Sequence, residues 1–241
     1  MRAHLITGVL LLASVAVGRA GLVAAPGFHP AKYRDGVLPP LPPPTVVGGG
    51  EVIVELDVTS AGAVRGAKAL RTTPPFTAAL IDATKTWRFT PAEVENENPT
   101  PAPGEPKWKA IDSTVLVAAV FRAPALLGPT LGDVPRDIGT ESDTTPFPFS
   151  TTTPQFPPRA RDGGIVMIET TIDMRGEPTN NRVLRSSPSF DEAALTALRQ
   201  WRFRPARILG STTPTLAYVI LGFAQPRIGA QQPLTPQPAS R

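Results

Sequence analysis

The sequence predicts an α+β protein made of two tandem small domains, each a ββαβ unit with one helix packed on an antiparallel sheet. Three observations carry this. Residues 49–92 align without a gap on residues 163–206 at a constant offset of 114, identical at 16 of 44 positions. Both segments open on a stretch in which apolar and polar residues alternate, the period of a half-buried strand. Both then show an apolar stripe at helical spacing that ends on Trp-Arg-Phe.

The elements follow in order. Val52, Val54, Leu56 and Val58 alternate with Ile53, Glu55 and Asp57; Val166, Ile168, Thr170 and Ile172 alternate with Met167, Glu169, Thr171 and Asp173. Glu55 and Glu169 should therefore lie on a solvated sheet face, where a pair with Arg88 or Arg202 would be worth at most about 1 kcal/mol. Turns at Ser60-Ala61-Gly62 and Met174-Arg175-Gly176 use glycine for the positive φ of a tight hairpin. A second strand runs to about Arg71 and Arg185. The helix of the second copy carries Phe190, Ala193, Ala194, Ala197, Leu198 and Trp201 on one stripe, and Ser189 with Glu192 reads as a capping box. The first copy keeps Phe76, Ala79, Leu80, Ala83 and Trp87 without the box. Trp87-Arg88-Phe89 and Trp201-Arg202-Phe203 read as core aromatics around an outward arginine, in a short extended segment stopped by Pro91 and Pro205. A last strand returns at Val115–Phe121 and at Ala217–Phe223. On alternating positions of these strands, Val115, Val117 and Ala119, and Tyr218, Ile220 and Gly222, are candidates for an open edge that an extended peptide can pair with.

Boundaries follow from composition. Residues 1–25 have Arg2, an uncharged apolar run from Leu5 to Val17 and small residues at Gly18, Ala20, Ala24 and Ala25. This is the pattern of a secretory signal peptide; an uncleaved membrane anchor is the alternative. Export to the periplasm is expected either way. The chain holds 30 Pro, which neither donate to ladders nor sit inside helices. Residues 26–45 read as a Pro-rich linker, with the polyproline candidate LPPLPPP at 38–44. The first domain spans 46–123, a linker 124–153, the second domain 154–225, and a disordered tail 226–241.

Much chemistry is excluded. There is no Cys and there are two His, His4 and His29, so thiolate nucleophiles, disulfides and multi-histidine metal sites are out. The formal charge of +4 comes from scattered Arg and Lys, a poor footprint for nucleic acid. Gly48-Gly49-Gly50 precedes a strand and is no phosphate loop. An enzyme is not expected, nor a catalytic residue, cofactor, metal or small-molecule substrate.

The string Phe156-Pro157-Pro158-Arg159-Ala160, Gly164-Ile165-Val166, Ser187-Pro188-Ser189-Phe190-Asp191-Glu192-Ala193-Ala194 and Trp201-Arg202-Phe203-Arg204-Pro205-Ala206 resembles the C-terminal periplasmic domain of TonB-type energy transducers. The resemblance covers about 156–224 well and about 46–122 more weakly. It implies a periplasmic adaptor whose last strand pairs, by strand addition, with the TonB-box peptide of an outer-membrane receptor to support transport. It implies partner contacts at Arg159 and at Ala217, Tyr218, Val219, Ile220, Leu221, Gly222 and Phe223. Contact with inner-membrane motor proteins is left open, because the apolar run is short and cleavable. A passive peptide-binding or scaffolding protein is the alternative.

Overall fold

The computed structural model describes residues 27–41, 48–96, 106–123 and 142–225. The expected signal peptide and tail, residues 42–44 of the proline run and most of the expected linker lie outside them. In chain order the strands are β1 (Phe28–His29), β2 (Lys32–Asp35), β3 (Gly50–Val58) and β4 (Val64–Arg71), followed by helix α1 (Phe76–Thr84). Next come β5 (Arg88–Thr90), β6 (Ala92–Glu95), β7 (Trp108–Ile111), β8 (Ser113–Arg122), β9 (Phe147–Ser150), β10 (Gly164–Ile172) and β11 (Pro178–Arg185). Helix α2 (Asp191–Leu198), β12 (Arg202–Arg204), β13 (Ala206–Ile208), β14 (Ser211–Thr213) and β15 (Thr215–Phe223) follow among the described residues.

The expectation of a separate antiparallel sheet in each half is corrected by the strand order. One six-stranded sheet runs β11-β10-β15-β8-β3-β4. Each half supplies an antiparallel trio, and the trios join where β15 and β8 pair in parallel, Ala217 opposite Leu116 through Phe223 opposite Arg122. The order reads the same outward from this seam on both sides. The two halves are thus related by a turn about an axis along the strands, which puts their helices on opposite faces of the sheet.

Two cores result, and each is built from both halves. Under α2 lie Phe190, Ala194, Leu198, Trp201 and Phe203 with Val166, Ile168, Val219 and Leu221, but also Ile53, Leu116 and Val120 from the first half. Under α1 lie Phe76, Leu80, Trp87 and Phe89 with Val52, Val54 and Leu56, but also Met167, Tyr218 and Ile220 from the second. Burying one large apolar side chain contributes about 1.5–3 kcal/mol. Separating the halves would strip half a dozen of them, comparable to the about 5–15 kcal/mol that holds a whole domain.

The recurring residues have local reasons. Gly62 and Gly176 have φ of 79° and 80°, and a Cβ on either would collide with the carbonyl of Phe89 or Phe203. That closeness lets Phe89 N–H donate to Gly62 O at 2.8 Å and Phe203 N–H to Gly176 O at 2.9 Å. Trp87 and Trp201 are fully buried, and their indole N–H groups donate to the segment preceding their own half: Trp87 to Val37 O at 2.8 Å and Trp201 to Thr152 O at 3.1 Å. Arg88 and Arg202 stay exposed and cap their neighbouring Trp carbonyls. Ser189 does not cap α2. The turn before the helix is held by Asp191, which accepts Ser187 N–H at 2.9 Å and the Ser186 hydroxyl at 2.6 Å.

Parts of the expected linkers are strands. β2 pairs with β5 and β9 with β12, so each half is preceded by an arm that completes a small sheet over its own Trp-Arg-Phe segment. These arms also cross to the other half. Tyr33 N–H donates to Tyr218 Oη at 2.7 Å, Arg185 donates to Gly36 O at 3.1 Å, and Arg122 donates to Pro154 O at 3.0 Å.

Candidate functional site

The strand expected to offer an open edge is β15, and the structure closes it. On one side it pairs antiparallel with β10, from Ala217 opposite Thr170 to Phe223 opposite Gly164. On the other it pairs parallel with β8. Ala217, Tyr218, Val219, Ile220, Leu221, Gly222 and Phe223 are all buried. The same holds for β8, which lies between β3 and β15 and buries Val115, Val117 and Ala119. Placing a guest on either last strand is corrected by this geometry, because each half's last strand already satisfies the backbone of the other.

Among the described residues the open edges of the sheet are its outer strands, β4 and β11. Each spans eight residues, and each is paired irregularly with its inner neighbour, with register shifts in both β3–β4 and β10–β11. β11 runs Pro178-Thr-Asn-Asn-Arg-Val-Leu-Arg185, with Asn180 at φ 49°. Bulges, a terminal proline and cationic residues are the devices that keep an edge from pairing indiscriminately. The motif residue Arg159 is exposed in the turn that leads into β10, the neighbour of β11. Its motif partner Phe156 anchors that turn, stacking edge-on against Phe190 of the α2 turn at 5.4 Å. The structure therefore keeps Arg159 at the surface and buries the other seven predicted contact residues. The strand β11 was expected, but its place as the open edge was missed; its one legible signal was a polar composition without the strict alternation of its neighbour.

The two repeated glutamates are not on a solvated face. Glu55 is 6% exposed and Glu169 8%, because the arm of the opposite half covers that side of the sheet. Glu55 Oε2 accepts the hydroxyls of Ser142 at 2.6 Å and Thr145 at 2.5 Å. Glu169 Oε1 accepts Arg182 Nη2 at 2.9 Å, and its Oε2 lies 3.3 Å from the Tyr218 hydroxyl. These partners of the two glutamates do not include Arg88 or Arg202. Burial pushes the Tyr218 hydroxyl well above the ordinary tyrosine range, with the Glu169 charge adding to it and the bond from the Tyr33 N–H opposing it. A further buried pair, Arg71 with Glu51 at 2.6 Å, is completed by Thr151 from the second arm at 2.8 Å. These polar groups tie the halves together and are arranged for structure: carboxylates are matched by hydroxyls and arginines. Among the described residues no group of three or more His, Asp or Glu is placed to hold a metal ion, and no helix is long and apolar enough to cross a membrane.

With the geometry in place, the comparisons locate the likeness. The family profile of the Gram-negative bacterial TonB protein C-terminal domain matches residues 152–220. The match starts on the second arm, takes in the Phe156–Ala160 turn, β10, β11 and α2, and ends within β15. The first half lies outside it. No curated protein matches the chain. The second half is therefore TonB-like.

Proposed function

We propose that the protein is a TonB-like adaptor of the cell envelope that recognises an extended receptor peptide, of the TonB-box kind, by strand pairing in support of transport. The supporting observation is that the TonB-like segment 152–220 carries, on its outer side, an eight-residue sheet edge with no strand of the described residues beside it. Because β8 holds the place beside β15, the guest pairs with β11, with Arg159 offering a cationic contact at the adjacent turn. Main-chain hydrogen bonds give such binding its affinity and alternating side chains its selectivity. Titrating isotope-labelled protein with a receptor TonB-box peptide tests this. Amide shifts should run along Pro178–Arg185, and Val183→Pro should weaken binding by about tenfold or more through lost ladder bonds. Shifts confined to β15, or none at all, would reject it.

A second reading is a passive envelope scaffold without motor coupling. The sealed β8–β15 seam favours it, since the strand through which the resembled family engages receptors is occupied from within. N-terminal sequencing of the exported protein separates the two: loss of residues 1–25 supports the scaffold, and their retention supports coupling at the inner membrane.

A further inference from the structure

At the end of the sheet where β8 and β15 begin, the seam opens into a cleft of about 360 Å³. Its walls come from both halves. Phe28, Ile111 and Val115 of the first half and Ile208, Leu209 and Leu216 of the second line it, with Asp57, Arg65, Asp112, Ser113 and Thr215. A volume of a few hundred cubic ångströms with apolar walls and a few polar groups is the usual form of a small-ligand site.

Three observations indicate an occupant and its chemistry. First, Ser113 and Thr215, the opening residues of the two seam strands, bury hydroxyls on opposite faces of the sheet, each without a hydrogen-bond partner among the described residues, and Thr215 is only 5% exposed. Buried hydroxyls without partners are uncommon and costly. Second, Leu209 is 86% exposed and sits with Gly210 in the two-residue turn between β13 and β14, at φ 50° and 79°. That turn geometry favours Asn-Gly or Asp-Gly, and leucine is a poor choice for positive φ. Leu209 thus bears a conformational cost at the rim of the cleft without gaining any burial. Third, the charge of Arg65 is already matched, since its Nη1 lies 2.8 Å from Asp112 Oδ2, while Asp57 adds a second carboxylate to the walls.

We infer that this cleft binds a small cationic amphiphile, an alkyl or aryl body ending in an ammonium head, with Leu209 closing over the body and Asp57 drawing the head. An anionic head is disfavoured by the excess carboxylate. This goes beyond the sequence expectation of no small-molecule substrate and is independent of the peptide edge, which lies at the outer strand.

The test uses octylamine, octanol and octanoate, titrated into the labelled full chain with amide shifts as the readout. Octylamine should move Leu209, Thr215 and Leu216, with octanol weaker and octanoate much weaker. Leu209→Asn should raise the melting temperature, because asparagine suits the turn, while weakening octylamine binding about tenfold through lost burial. Asp57→Asn should weaken octylamine about threefold and leave octanol unchanged, the effect of one partly screened charge. Opposite signs in stability and affinity for Leu209→Asn exclude a merely structural role. No shifts at millimolar amphiphile, equal binding of octanoate, or unchanged affinity in Leu209→Asn would overturn the inference.

Discussion

Glu55 and Glu169 occupy equivalent positions, one in each half, and both are buried by the opposite arm, yet they are stabilised differently. Glu55 takes two hydroxyls, Ser142 and Thr145. Glu169 takes an arginine from its own half and lies beside the seam tyrosine. The next pair diverges further. Arg71 is buried against Glu51, whereas its counterpart Arg185 is exposed and donates to an arm carbonyl, and the position equivalent to Glu51 is Ile165. The difference teaches that the repeat specifies the strands and helices, while the polar chemistry was fitted separately to whichever arm happens to cover each side. The TonB-like character falls on the half with the more exposed outer strand.

The largest effects should come from the parts the halves share alike. Trp87→Ala and Trp201→Ala each remove a fully buried indole and should each cost about 3–5 kcal/mol. Because the cores interpenetrate, either change should shift one common unfolding transition in a denaturant melt. A melt that splits in two would mean that the halves are independent.

Next comes the asymmetric pair. Glu51→Ala strands a buried Arg71 and should cost about 3–5 kcal/mol, as breaking a buried ion pair does. Arg185→Ala, at the equivalent surface position, should change stability by under about 0.5 kcal/mol. Equal losses from the two variants, measured by urea titration, would show that the first-half pair is not special.

Tyr218→Phe removes the bond from the Tyr33 amide and should cost about 1–2 kcal/mol. It also carries a pH signature. The folded pKa is raised above the ordinary value near 10, so the folded state holds its proton where the unfolded chain loses it. The contribution is complete below that value and is lost as pH rises beyond it. The wild type should destabilise on the alkaline side, and the variant should show a flatter alkaline limb.

The smallest effect is at Asp112, whose pKa is lowered by the Ser60 amide and by Arg65. Its contribution is present above the ordinary value near 3.8 and fades as pH falls through the lowered folded value. Asp112→Asn should lower stability slightly at neutral pH and leave the acid end unchanged, which flattens the acid limb of the profile.

Much of this architecture was legible. The offset of 114, the alternation in β3 and β10 and the apolar stripe ending on Trp-Arg-Phe place the inner strands, helices and aromatic anchors correctly. What misled was face assignment. Glu55 and Glu169 alternate with core residues, which implies water when one half is considered alone. Their burial depends on arms whose covering residues, such as Tyr33 and Thr145, lie far away in the sequence. For the same reason β15 read as an edge: its second partner belongs to the other half, and no periodicity within a strand records which neighbour it will meet. Leu209 was invisible because a leucine in a loop carries no signal until the turn geometry is known.

Native-state amide hydrogen exchange along β15 tests most directly whether the two halves form one closed sheet. Amides of Ala217 through Phe223 bonded toward β8 should exchange as slowly as those bonded toward β10, and only through global unfolding. Fast exchange confined to the β8 side would show an edge that opens in the native state, and would contradict the account.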